Sequence, residues 1–300
     1  MNKPYKNIPI ILFIIGLGCS LYFFFSRPQP ETKDVSCVKL PVSFFPFSRQ
    51  PLIQVEIEGK KYTLLIDTGS SHRLGLHKRV LERFGDKEFL GVANYLDFKG
   101  NPYQIEVFRT PPVKLHKSLE ISGLDAQEEN IDFLTSGASI QKTRSLFSKI
   151  RDQLRLLWID GRIGFSPFRD IAAHFDFPHR CLYLGKNLKA LEQEGIFQPN
   201  DFVALPFAVD HSGPVISLET NLGEKKFLLD TGATHSIINA TEDSSLNLKV
   251  NDTTFGSWYF FYAQFSPKVA SEFDGVLGVD FFKKHAICFD FQQGIVYIQK

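Results

Sequence analysis

Across 300 residues, 34 Lys and Arg stand against 33 Asp and Glu, a net charge of +1, and no stretch gathers the basic ones into a stripe, which argues against nucleic acid as the partner. The 4 cysteines and 8 histidines never fall into Cys-x-x-Cys or His-Glu-x-x-His spacing, so neither a metal nor a cofactor is expected.

The chain opens with Met1-Asn2-Lys3-Pro4-Tyr5-Lys6-Asn7 and then runs from Ile8 to Phe25 without a charge, long enough for a membrane-spanning helix. Small residues are missing from the cleavage positions of a signal peptide, so an uncleaved signal anchor over residues 1–26 is expected. Cys19 in Leu17-Gly18-Cys19-Ser20 offers a lipoprotein reading, but Leu21 to Phe25 keeps the run apolar where a lipidated chain turns polar. Lys3 and Lys6 precede the span, and the positive-inside rule then leaves everything after Arg27 on the non-cytoplasmic side. That side is the periplasm or cell surface in a bacterium, the lumen or exterior in a eukaryote. Residues 27–41, beginning Arg27-Pro28-Gln29-Pro30, read as a short tether.

Pro51-Leu52-Ile53-Gln54-Val55-Glu56 leads to the apolar run that ends in Leu65-Ile66-Asp67-Thr68-Gly69-Ser70-Ser71. Asn94 to Tyr103 then carries turn chemistry, Lys99-Gly100-Asn101-Pro102, between two strand-like runs, the pattern of a hairpin. From Ala138 to Trp158, Ile140, Phe147, Ile150, Leu154 and Leu157 fall on one face of an amphipathic helix, expected to pack on the outside of this half. Asp160-Gly161-Arg162-Ile163-Gly164 follows, then Phe175-Asp176-Phe177, whose alternation suits a strand with one buried face. Asn187 to Glu194 reads as a helical connector ahead of Gln198-Pro199-Asn200-Asp201.

The same series then recurs. Pro214-Val215-Ile216-Ser217-Leu218-Glu219 precedes Leu228-Leu229-Asp230-Thr231-Gly232-Ala233-Thr234, and each proline lies sixteen residues before its aspartate. Asp274-Gly275-Val276-Leu277-Gly278 aligns without a gap on the Asp160 segment, carrying with it Phe168/Phe282, Phe175/Phe289, Asp176/Asp290, Phe177/Phe291 and Tyr183/Tyr297. A unit of about a hundred residues present only twice is too long and too few for a solenoid. It predicts two lobes, 42–198 and 199–300, facing each other across a pseudo-twofold axis, with Asp67 and Asp230 brought together.

Two carboxylates within hydrogen-bond reach share one proton over a wide pH range, so that one acts as base and the other as acid. Such a pair can activate water for attack on an amide without metal, cofactor or nucleophilic side chain. Gly69 and Gly232 let backbone approach where a side chain would clash, and Thr68 and Thr231 supply short hydroxyls able to reach the opposite loop and lock the pair. Cys37, Cys181 and Cys288 remain outside the span, and this odd count permits at most one internal disulfide; Cys181 with Cys288 is the expected pair.

An apolar pair, Asp-Thr-Gly, then Ser or Ala, with a later apolar-Gly segment, resembles the signature of the pepsin and retropepsin-like aspartic proteases. Both halves carry it, with Ile163-Gly164 completing the first and Leu277-Gly278 the second. The resemblance covers about Val42 to Lys300. It implies an all-β, bilobal pepsin-like fold with a substrate cleft between the lobes, to which this chain adds a helical insertion in lobe one and the N-terminal transmembrane helix. It further implies endopeptidase activity on a peptide or protein substrate, with Asp67 and Asp230 as the dyad, supported by Thr68, Gly69, Ser70, Thr231, Gly232 and Ala233. Both lobes lie on one chain, so a monomer suffices. Assembly of the dyad between chains, and a catalytically silent peptide- or protein-binding module on the same scaffold, are the alternatives.

Three departures shape the expectations. Asp67 and Asp160 are 93 residues apart, Asp230 and Asp274 only 44, so about 49 residues are extra in lobe one. The Asn94–Tyr103 hairpin answers to the family's flap, where Tyr95 or Tyr103 would meet substrate, while Asn251–Gly256 is the turn-like counterpart in lobe two. Ser70 can donate to its carboxylate and Ala233 cannot, which predicts a dyad less acidic than one with two donors and a pH optimum nearer neutral than pepsin's. His72 and His235 each fall five residues after an aspartate and are candidates for specificity or pH sensing at the ends of the cleft, against a plain loop role.

Overall fold

The computed structural model describes residues 36–300 except 47, 71–72, 86, 97–101, 129–157 and 211–212. The expected membrane helix, the start of the tether and the helical insertion therefore lie outside the described residues, as does His72. Among the described residues no helix is long and apolar enough to cross a membrane.

Each half builds its own sheet around its Asp-Thr-Gly loop. In the first, Pro51–Ile57 and Lys60–Asp67 form a hairpin closed by Glu58 and Gly59, whose φ values of 49° and 74° make the two-residue turn that matches strand twist. Gly161–Gly164 then slots in parallel beside Lys60–Asp67, Gly164 opposite Asp67, and antiparallel to Leu74–Leu76. In the second half Gly213–Thr220 pairs with Gly223–Leu229, and Gly275–Leu277 lies parallel to the latter and antiparallel to Ile237–Asn239. The late strand thus separates the strand entering each aspartate from the strand leaving it, so the loop between them projects from the sheet.

A matched clamp holds that late strand. The Thr63 amide donates to Asp160 Oδ2 and the Lys226 amide to Asp274 Oδ2, each at 2.9 Å. Arg79 adds a 3.1 Å bond to Asp160 Oδ1. Because the Asp160 side chain is only 24% exposed, Asp160→Ala leaves the Thr63 amide without its acceptor, while Arg79, 39% exposed, keeps the Ile159 carbonyl. A loss of about 1–3 kcal/mol in denaturant unfolding is expected; an unchanged midpoint would show that the strand holds without it.

A third sheet of six strands belongs to both halves, in the order Cys37–Pro41, Cys181–Gly185, Ala172–Asp176, Ile287–Asp290, Ile295–Gln299, Phe202–Pro206. Residues 37–41, expected in the tether, form its edge strand because Val38 and Leu40 alternate into the core at 3% exposure each. The Phe-Asp-Phe segments were expected to bury one face. Instead Ala172–Phe175 and Ile287–Asp290 are buried on both, since their strands are central and each face is covered by packed side chains. Phe175 lies 5.5 Å from Phe289 and 6.1 Å from Phe282, ring centre to ring centre, close enough for edge-to-face attraction. Phe289→Ala should cost about 3–5 kcal/mol by cavity formation. A loss below about 1 kcal/mol, under the usual range for such truncations, would mean the shared sheet is not a common core.

The expected Cys181–Cys288 disulfide is absent, and Cys37, Cys181 and Cys288 are all free thiols. Cys181 pairs with Asp176 and Cys288 with His174, so the whole Ala172–Asp176 strand stands between them. Two strand spacings, about 9–10 Å, exceed the Cα separation of about 4.4–6.8 Å that a disulfide spans. Between the halves, a helix covers Leu188–Gln193, and the Asn187 side chain caps it by accepting from the Ala190 amide at 3.0 Å.

Candidate active site

The two Asp-Thr-Gly loops meet and bind each other through four reciprocal hydrogen bonds. The Thr68 amide donates to Thr231 Oγ1 at 3.0 Å and the Thr231 amide to Thr68 Oγ1 at 2.9 Å. Thr68 Oγ1 in turn donates to the Leu229 carbonyl, and Thr231 Oγ1 to the Ile66 carbonyl, both at 2.8 Å. Both threonines are fully buried, so each hydroxyl acts as donor and acceptor with no water in competition.

This lock sets the aspartates face to face. A methyl group on Gly69 would overlap the Asp230 carboxyl, and one on Gly232 would overlap that of Asp67, so each glycine lies directly against the opposite acid. The Gly232 amide donates to Asp230 Oδ1 at 2.7 Å. Burial first, then the charge of Asp67 and the hydrogen bond with it, push the Asp230 carboxyl well above the usual carboxylate range, against smaller opposing bonds from the Gly232 and Ala233 amides. The opposed pair thus keeps one proton above that range.

Asp67 has a partner that the sequence reading did not name. Arg162 Nη1 donates to Asp67 Oδ2 at 2.9 Å, with side-chain exposures of 17% and 8%, making this a largely buried ion pair. The signal for it was present in the repeat, where Arg162 stands against Val276 in otherwise matched segments. A second unforeseen residue is Gln50, 4% exposed, whose amide donates to the Gly232 carbonyl across the lobes while Ser48 Oγ donates to Gln50 Oε1 at 2.8 Å. Gly213 occupies the equivalent place in the second half and packs on the Thr68 carbonyl.

Ser70 does not make the expected bond to the dyad. Its hydroxyl is buried and makes no hydrogen bond among the described residues. Asp67 Oδ2 receives the guanidinium instead, so the asymmetry of the dyad comes from Arg162 against Val276 more than from Ser70 against Ala233. Ala233 takes part through its carbonyl, which accepts from the Val279 amide at 2.8 Å, as the Ser70 carbonyl accepts from Phe165 at 3.2 Å.

Tyr95 and Tyr103 are cross-strand partners in the hairpin of Glu88–Leu96 with Pro102–Arg109, and their side chains and the turn itself lie outside the described residues. In lobe two Ser244–Val250 and Thr253–Ala263 form a hairpin turning at Asn251 and Asp252. His235 is exposed, its ring 5.2 Å from Phe261, and it makes no described contact with the dyad.

No protein-family profile matches the chain. No curated protein matches it in sequence either. Among solved structures it is similar to basic 7S globulin from soybean, with 10% identity, 89% of this chain and 95% of that chain covered, and a TM-score of 0.57. At that identity the likeness speaks to architecture alone, and the architecture of this chain is the two-lobed, mostly β, pepsin-like fold.

Proposed function

We propose that this chain is an aspartic endopeptidase in which Asp67 and Asp230 activate water against a peptide bond. The observation that carries this reading is the reciprocal lock of the two Asp-Thr-Gly loops, which leaves two carboxyls opposed, Asp67 buried and Asp230 half-buried, with the Asp230 carboxyl pushed above the usual range. Asp67, the ionised partner, takes a proton from a water between the carboxyls while Asp230 donates a hydrogen bond to the carbonyl oxygen under attack. The proton gathered on Asp67 then passes to the departing amine. The lock is made within one chain, which supports action as a monomer. The Ile8–Phe25 run supports a single-pass anchor with the lobes on the non-cytoplasmic side.

A silent peptide-binding module on the same scaffold is the second reading, and two observations favour it. The structural neighbour is named a globulin rather than a protease, and a fold alone does not carry an activity. In addition, Arg162 engages one oxygen of the proposed base. A diverse peptide pool incubated with the chain, with Asp67→Asn and with Asp230→Asn across acid to neutral pH separates the two. Cleavage lost in both variants supports the endopeptidase; peptide retained but never cut by the wild type supports the binding module.

A further inference from the structure

We propose that Arg162 makes this cleft selective for peptides with a carboxylate side chain beside the bond to be cut, the substrate's carboxylate taking the place of Asp67 on the guanidinium. The inference rests on the endopeptidase reading. In the second half the same position is Val276, 5% exposed and packed with Val215, Leu228 and Phe273, so nothing in the architecture of the repeat calls for a charge there. In the first half a permanent cation stands 2.9 Å from one oxygen of the proposed base. The neighbouring cations are turned elsewhere, Arg73 to Asp125 and the Gly123 carbonyl, Arg169 to the face of Phe165.

A carboxylate bonded to a charged donor has one lone pair fewer for water, and it gives up the ion pair when it accepts a proton. The resting dyad is therefore held back by its own chain. A peptide whose carbonyl lies between Asp67 and Asp230 brings its flanking side chains to the same guanidinium. An apolar flanking side chain offers the guanidinium nothing in exchange, so Arg162 stays on the base or gives up its ion pair for no new one. An Asp or Glu side chain resolves the conflict. The planar guanidinium takes a carboxylate through two parallel N–H bonds, so one ion pair replaces another and Asp67 is released to receive the proton from water. Glutamine, of the same size and without charge, gives no such exchange.

The test uses the full chain and peptides that differ only in Glu, Gln or Leu at the residues flanking the cleaved bond, with wild type, Arg162→Val and Arg162→Lys compared. Wild type is expected to show kcat/KM about tenfold or more higher for the Glu peptide than for the other two. Arg162→Val should abolish that preference and raise the rate on the Leu peptide by about tenfold, while Arg162→Lys, with charge but no fork, keeps part of it. Equal values for the three peptides in wild type, or a Glu preference that survives in Arg162→Val, overturns the proposal. Calorimetric binding of the same peptides with an uncleavable hydroxyethylene unit at the scissile bond separates the two ideas. Arg162-dependent binding of the Glu form without cleavage of any peptide overturns the endopeptidase reading and keeps the Arg162 assignment. Binding indifferent to Glu and to Arg162, with ordinary cleavage, does the reverse.

Discussion

Asp230→Asn is expected to lower peptide cleavage by about 10⁴-fold, the upper range for loss of a general acid, while making the fold more stable at neutral pH by about 1–2 kcal/mol. Activity falls because an amide cannot supply the proton that Asp230 holds. The gain in stability follows from linkage. Burial and the nearby Asp67 raise the folded pKa of Asp230, so the native state keeps a proton that the unfolded chain has lost. Stability then declines as pH rises from the ordinary carboxylate range, near 4, to the raised value, and levels off above it. Asparagine has no charge to desolvate and still accepts from the Gly232 amide, so the variant should lack that decline. The same shift keeps the dyad singly protonated toward neutral pH and predicts loss of cleavage on the alkaline side. The groups facing Asp230 are Asp67, which carries the Arg162 guanidinium on one oxygen, and the Gly232 and Ala233 amides. Parallel stability curves for wild type and variant from pH 4 to 9 would sink the linkage argument, whatever the kinetics.

The other large effect is expected at the lock. Thr68→Val keeps size and burial but strands the Thr231 amide and the Leu229 carbonyl, both buried and both bonded only through that hydroxyl in the lock. At about 1–3 kcal/mol for each orphaned group, a loss near 2–6 kcal/mol is expected. Cleavage should fall with it, because the same bonds hold the carboxyls opposed. Thr231→Val strands the Thr68 amide and the Ile66 carbonyl in the mirrored arrangement. A double-mutant cycle should show the two losses failing to add, the second substitution costing less once the first has opened the lock. Full additivity would mean that the threonines act separately and that the loops are held together by something else, such as Gln50 on the Gly232 carbonyl.

The lock itself is legible in the amino-acid sequence. Asp-Thr-Gly in two matched settings predicted opposed acids, glycines against carboxyls and hydroxyls crossing between loops, because a twofold repeat within one chain implies a pseudo-twofold axis and the axis supplies the contacts. The pairing of the two strand-like runs, Glu88–Leu96 with Pro102–Arg109, and the helical connector over Leu188–Gln193 were legible for a different reason, since strand and helix patterning are local. Ser70 was misjudged because a hydroxyl near a carboxylate in sequence need not be its donor in space. Arg162 lies 95 residues from Asp67 in the chain and reaches it only through the parallel pairing of Gly161–Gly164 with Lys60–Asp67.

What the amino-acid sequence determined alone is the doubled unit and the identity of the residues at its centre, while the mostly β fold was implied by the resemblance those residues carry. These follow from spacing, strand patterning and turn residues, which act over a few positions. What only the tertiary structure decided is which partners those residues meet: the guanidinium on Asp67, the Gln50 bridge, the proton-holding environment of Asp230, and the six-stranded sheet that buries the Phe-Asp-Phe strands on both faces and keeps Cys181 from Cys288. The physical reason is common to all of them. Burial, hydrogen-bond partners and carboxyl protonation depend on neighbours across strand registers and between lobes, and no local pattern in the chain records which strand will lie beside which.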